Sequence, residues 1–405
     1  MLDELRNAVQ EANALYFVTL LRADDAGARR PDDTTEPSIV APATYAAIPG
    51  VPNSGGPRVN RVRTHDRAEA RTVLSSTGAE AHRHKLALRD ALAEDPALPF
   101  PRVHVEGAVD LKGKGRRPWA LDILDLPHGG SDTYLRWTSE WSEFDPFVMG
   151  FGQLDLRDDA TRIYQRCIHM LLVGGWASYY RAAARIPRTL SSSIEGITIL
   201  PNDTADDPLV TYKTQRSDPL IKGTIGLPEG MKPKKKDKDK LSAEGLGDIP
   251  GKHPTSKVLI DYAVAKTTIS FAGLRQIRFA ENGGRSHERD LAGRTVAAAL
   301  GLLMHELVQR HGYYLRSGCS LVPILGKTSR VLVGADGRES ALPWDQDARP
   351  RLTIARELYV AAVQAAEGTG LQFDPARTLH ADRNLNDAVS HSTRFERVDE
   401  DEGVA

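Results

Sequence analysis

Cysteine is almost missing from this chain: Cys167 and Cys319 are the only two in 405 residues. They match neither a zinc-ligand nor a redox spacing, so a disulfide framework is excluded and two reduced, buried thiols are expected. Long apolar runs are missing too. No run reaches the roughly 18 residues that a bilayer crossing requires. Ile168–Trp176 is too short, and the helix ending near Val308 carries charges. The start, Met1–Arg6, is charged and has no apolar signal core,. The expected compartment is therefore the cytoplasm, with no membrane partner. An excess of positive charge is also absent, since the net charge is −1. That excludes a uniformly basic nucleic-acid surface. The four acids Asp399–Glu402 weigh on this balance, so a basic surface, if present, must be local.

The motifs of common enzymes fail one by one. His305-Glu306-Leu307-Val308-Gln309 starts like a zinc-protease helix, but Gln309 stands where the second histidine belongs,. No phosphate-binding P-loop occurs. Gly174-Gly175 and Gly283-Gly284 lack the dinucleotide pattern, and no nucleophile elbow is present,. No solenoid repeat is visible. No metal or cofactor is expected.

What the chain does have is an ordinary globular composition, 40% hydrophobic and 26% charged,. Leu2–Ala14 reads as a helix and Leu15–Leu21 as a buried strand. Gly27–Gly56 reads as a long loop, Thr77–Ala93 as a helix capped by Ser76 or Thr77, and Arg102–Glu106 and Trp119–Leu126 as strands. Ser131–Trp137 begins a short helix, and Asp158–Met170 is a helix running into Leu171-Leu172-Val173. Ile194–Leu200, Leu209–Tyr212 and Val258–Phe271 read as strands. Leu274–Phe279 fits a strand or a short helix. A helix from His287 to Arg310 shows Leu300, Leu303, Met304 and Leu307 on one face and stops at Gly312,. Tyr313–Leu315, Leu321–Leu325 and Val331–Val333 read as strands, and Thr353–Glu367 as a second amphipathic helix. About fifteen C-terminal residues are expected to fray. Irregular alternation of this kind indicates α+β, a sheet covered by helices on one face.

Three stretches suit a nucleic-acid backbone. In the first, Trp176, Tyr179 and Arg181 precede Arg185 and Arg188. Aromatics stack on bases, and guanidinium forks fit phosphate oxygens. The second holds Lys213, Arg216 and Ser217 before Pro219, with Lys222 beyond. The third joins Arg275 and Arg278 to the loop Asn282–Arg285, where Gly283 and Gly284 let backbone N–H groups approach an anion beside Arg285. Arg83 and Lys85 add charge on the helix Thr77–Ala93. Residues 223–256 crowd lysines among Pro, Gly and Asp. There, Lys234, Lys235 and Lys236 suit a weaker DNA contact by counterion release. An alternative chemistry is open: His82, His84 and His128 could supply the acid and base of an RNA endonuclease.

Taken in order, these segments resemble a known family. The resemblance runs from roughly Val73 to Pro375. It is carried by the helix Ser75–Arg89, by Leu126-Pro127-His128-Gly129-Gly130-Ser131-Asp132-Thr133-Tyr134-Leu135-Arg136, by Leu171–Trp176 and Arg185-Ile186-Pro187-Arg188, and by Lys213–Pro219. Gly245–Pro250, Thr267–Arg275, the Gly loop and the helix leading to Leu315–Cys319 complete it. The set is similar to the CRISPR-associated RAMP superfamily backbone subunit of the type I-U (I-G) surveillance complex. The family pattern often has an acid directly after the tryptophan; here that residue is Ala177.

The resemblance implies an α+β fold with an RRM-like (ferredoxin-like) core and large insertions. Residues 1–222 and 257–375 would form one elaborated domain, 223–256 a flexible lysine-rich insertion, and 376–405 a C-terminal extension with an acidic tail. It also implies a non-catalytic subunit that polymerises along guide RNA (crRNA) as a helical filament of copies and presents it to target DNA. Other surveillance-complex subunits and a helicase-nuclease would be partners. The aromatic motif with which RRM domains stack bases is not evident, so contacts through loops and basic edges are expected instead.

Overall fold

The structure, a computed structural model, describes residues 1–24, 37–45, 56–63, 68–110, 115–146, 156–177, 184–200, 211–214, 255–280 and 283–392. Among these, an eight-stranded sheet organises the chain. Its spatial order is Tyr313–Arg316, Cys319–Gly334, Ala12–Ala23, Tyr262–Ser270, Leu190–Leu200, Ala68–Ser75 and Val59–Arg63, and the short strand Glu339–Ala341 also pairs with Cys319–Gly334. Every pairing in it is antiparallel. The mixed α+β architecture expected from the sequence is what forms, and the structure adds antiparallel pairing throughout this sheet.

Alternation along the two central strands decides which face is covered. Leu15, Phe17, Thr19 and Leu21 are buried opposite Ile269, Thr267, Ala265 and Ala263, while Tyr16, Val18, Val264, Lys266 and Thr268 between them are half-buried,. At one end of the buried face lie the helices Leu2–Glu11, Thr77–Glu94 and His287–His311. At the other end, a small sheet of Thr211–Thr214, Thr255–Ile260 and Ser38–Val40 brings Val40, Val258 and Ile260 against Leu21, Ala263 and Ile194. The helix Arg351–Glu367 packs outside the long helix.

The long helix explains the depth of the core. Ser286 caps its start, accepting from Arg289 N at 3.4 Å. Glu288 and Asp290 occupy the first turn, Arg310 and His311 the last, and Gly312 at φ 74° ends it,. Leu300, Leu303, Met304 and Leu307 are buried as the periodicity predicts. Each contributes roughly 1.5–3 kcal/mol of transfer free energy. The expectation that its charges exclude a membrane-length apolar stretch is corrected: they gather toward its ends. The helix is long and apolar enough to cross a bilayer, yet its most apolar stretch lies wholly inside the protein. It is a core helix.

Other expectations shift at element boundaries. Leu321–Leu325 and Val331–Val333 are one strand, Cys319–Gly334, which pairs with Ala12–Ala23 on both sides of an irregularity. The segment expected as one strand from Val258 is two, Thr255–Ile260 and Tyr262–Ser270, and Leu274 ends the one-turn helix Phe271–Leu274. Arg377–His380, placed by sequence in a C-terminal extension, pairs in parallel with Val103–Asp110, and the helix Arg383–Ser392 follows it. Leu379 and Leu385 are buried in the main core. The acidic tail lies outside the described residues, as does the insertion before Thr255.

Candidate functional site

A cleft of about 970 Å³ lies beside the start of the helix Thr77–Glu94. Four pieces of chain build it. The helix supplies Gly78, Ala81, His82 and Lys85, and the turn after the strand Arg116–Asp122 supplies Pro127, His128 and Gly129. His169, Val173 and Gly174 come from the helical segment before the strand Gly175–Ala177. Trp176, Arg185, Ile186, Pro187 and Arg188 come from that strand and its partner, Ala184–Ile186.

Local chemistry fixes each piece. Ser76 caps the helix by accepting from Ala79 N at 3.3 Å,. Ser131 Oγ donates to His128 O at 2.7 Å and accepts from Trp176 N at 3.1 Å, which ties the turn to the strand. Gly129 has φ +54°, and a Cβ there would meet His169 Nε2,. At Gly130 a Cβ would collide with Cys167 Sγ, so the turn packs directly on the helix below it.

The cleft is cationic and aromatic. Lys85 is 2% exposed and donates to Leu126 O, and to Pro127 O at 3.2 Å. Burial lowers its pKa to about 8,. Burial also lowers the pKa of His82, with the Lys85 charge adding to the effect. His169 is fully buried, and burial followed by the Lys85 charge holds its pKa at about 3. Trp176 is 46% exposed, with His128 edge-on to it and the Arg185 guanidinium 5.9 Å above its ring,. Arg188 is exposed, and its Nε donates to Val173 O at 3.0 Å. Among the described residues no group of three or more His, Cys, Asp or Glu could hold a metal.

The structure brings together Lys85, Trp176, Arg185 and Arg188 from the predicted stretches. It sends the others elsewhere. Arg83 pairs with Glu80 at 2.8 Å and donates to Gly312 O at 2.7 Å. Arg275 turns inward to Val9 O and Ala12 O at 3.0 and 2.6 Å. Arg278 pairs with Asp290 at 2.6 Å. These three arginines hold elements together, because buried carbonyls and carboxylates lie within their reach. Gly283, at φ +78°, and Gly284 and Arg285 are exposed, away from the cleft lining. His84 is corrected from a surface acid–base candidate to a core residue. It is 1% exposed, with Nδ1 2.7 Å from Glu80 O. Lys213 lies in the strand Thr211–Thr214. Tyr179, Arg181, Arg216, Ser217, Lys222, Lys234, Lys235 and Lys236 lie outside the described residues.

His169 escaped sequence reasoning. The signal was a histidine inside the apolar run Ile168–Trp176. Ala177, where the family pattern has an acid, is fully buried.

Fold and cleft together define an α+β protein with a basic, aromatic groove beside one end of an antiparallel sheet. Residues 36–201 match the model of a family described as CRISPR-associated protein GSU0053, a stretch that is less than half of the chain but holds the entire cleft lining. Over that stretch the chain is similar to this CRISPR-associated family. No curated protein matches the chain.

Proposed function

We propose that this protein is a non-catalytic crRNA-binding backbone subunit of a type I CRISPR surveillance complex. The observation that carries the reading is the cleft, in which two distant chain segments bring Lys85 together with Arg185, Arg188 and the exposed Trp176. A guide must accept any sequence. Its carrier therefore holds phosphates and sugars and leaves pairing edges free. Base pairing with target DNA then does the reading. One local basic cleft per copy suffices, because repetition along one strand multiplies weak contacts. That reconciles strand binding with a net charge of −1.

The fold supports the same reading. Taken in chain order, Ala12–Ala23, Leu190–Leu200, Tyr262–Ser270 and Cys319–Gly334 lie side by side as fourth, first, third, second. The helices Thr77–Glu94 and His287–His311 fall in the two crossovers. That arrangement supports reading these elements as the β-α-β-β-α-β order of a ferredoxin-like, RRM-like core. In this reading the remaining strands are insertions, and the protein works in the cytoplasm. Its partners are further copies in a helical filament, other subunits and a helicase-nuclease. Head-to-tail contacts that do not close give such a filament.

The test is RNA retained by the native assembly. Material purified from host cells should contain RNA of discrete length. Arg185→Ala should weaken retention and flatten the slope of log K against log salt by about 0.7, one single-strand phosphate contact. An assembly free of RNA would refute the reading. A second reading, RNA cleavage, draws on His82 and His128 lining the same cleft. Loss of precursor-RNA cutting in His128→Ala would establish it in place of the first.

A further inference from the structure

We propose that a second pocket, separate from the cleft, binds a phosphate dianion. It lies between the helix Leu2–Glu11 and the start of the helix His287–His311, and has a volume of about 240 Å³. None of its residues belongs to the cleft lining, so the inference stands apart from the crRNA reading.

Local structure gathers the cations. His287, Leu291 and Arg294 recur at i, i+4 and i+7, which puts them on one face of the long helix,. Arg275 directly follows the one-turn helix Phe271–Leu274, and Val9 and Gln10 come from the last turn of Leu2–Glu11. Val9 and Leu291 are buried and form the apolar part of the lining. Two guanidiniums, an imidazole and an amide therefore meet there. Among the described residues no carboxylate lines the pocket.

Both arginines have donors left over. Arg275 Nη1 donates to Val9 O and Ala12 O. Arg294 donates from Nε and Nη2 to Ile277 O, and from Nη2 to Asp290. Nε and Nη2 of Arg275 and Nη1 of Arg294 have no hydrogen-bond partner among the described residues, and none of the three is sealed from solvent. A planar fork held in place by its other bonds is preorganised for an oxyanion.

Charge and size narrow the ligand. The charges acting on Arg294 are one carboxylate, Asp290, and two guanidiniums, Arg278 and Arg275. Three cations against one anion leave two positive charges close together, where burial strengthens their repulsion. A phosphate monoester carries about −1.5 to −2 near pH 7 and balances that surplus. A phosphodiester inside a strand carries a single charge and does not. The volume lies below the roughly 300–1,000 Å³ of drug-sized sites, which suits a phosphoryl group rather than a whole nucleotide,. Inorganic phosphate and the terminal phosphate of a strand share this chemistry.

The experiment is calorimetry on the full chain at constant ionic strength. Inorganic phosphate is titrated in, with nitrate as the monoanion control. Uridine tetranucleotides with a 5′-phosphate or a 5′-hydroxyl serve as competitors. Phosphate should bind and nitrate should not. Gln10→Glu places a carboxylate at an exposed position of the lining and keeps both arginines, so it should weaken phosphate binding by about tenfold,. Gln10→Lys should not weaken it. Displacement by the phosphorylated tetranucleotide at lower concentration than by phosphate itself assigns the site to a strand end. Displacement no better than by phosphate assigns it to the free ion. No heat with phosphate, unchanged affinity in Gln10→Glu, or equal displacement by the 5′-hydroxyl strand overturns the site.

Discussion

Asp290→Ala should destabilise the fold by about 3–5 kcal/mol, read as a lower denaturation midpoint with an unchanged m-value. Asp290 is 3% exposed and serves three donors. Oδ1 accepts from Phe279 N at 2.7 Å, and Oδ2 accepts from Arg278 and Arg294 at 2.6 and 3.0 Å. Truncation leaves Arg294, 6% exposed, with only Ile277 O at 2.6–2.8 Å as partner, and strips a buried N–H of its acceptor. Arg278 is more exposed and can turn to water, so most of the cost arises at Arg294. Against a typical total of 5–15 kcal/mol such a loss is large. Asp290→Asn keeps one acceptor and should cost less. A midpoint for the alanine variant within about 1 kcal/mol of wild type would show that the cluster is energetically idle.

The second large effect is acid sensitivity. His84, His169 and His305 are buried, and burial is the main cause lowering the pKa of each below 6.5, to about 3 for His169. His305 stacks on Phe17 with ring centroids 4.2 Å apart. Near pH 7 all three are mostly neutral in both states. As pH falls through 6.5, the unfolded chain takes up protons that the folded chain resists, so stability falls,. His169 and His305 each approach a limiting slope of ~1.4 kcal/mol per pH unit only about one unit below 6.5, and His84 adds in the same direction,. Glu306, whose pKa is raised chiefly by burial, opposes this by at most one proton,. Denaturation followed between pH 7 and 5.5 should show stability falling with pH, by about 1 kcal/mol per unit less in His305→Leu. Stability constant across the range would contradict it.

Periodicity made the long helix legible, and alternation made the central strand legible, because both patterns are local. The destinations of individual cations were not legible in the same way. Arg275 and Trp176 both stood in promising segments, yet one reaches inward to Ala12 O and the other stays at the surface. Which happens depends on partners hundreds of residues away, and spacing holds no record of them. Lys85 shows the converse. On a helix read as a basic surface it is buried, with its ammonium donating to Leu126 O and Pro127 O, yet it still contributes to the cleft lining. The turn at Gly129-Gly130 resembled a family segment, and only the packing against His169 and Cys167 gives the two glycines a reason. Leu321–Leu325 and Val331–Val333 read as separate strands. The ladder instead resumes from Thr328, since Ala12–Ala23 continues alongside.

The rims of the main sheet carry one more implication. On one side the border is divided between Tyr313–Arg316 and Glu339–Ala341; on the other it is the five-residue Val59–Arg63, with two arginines in it. Brief or charged borders are poor templates for backbone zippering. Copies crowded side by side therefore have little tendency to fuse into a continuous ribbon. Any association of copies along these borders would rest on side chains rather than on backbone pairing.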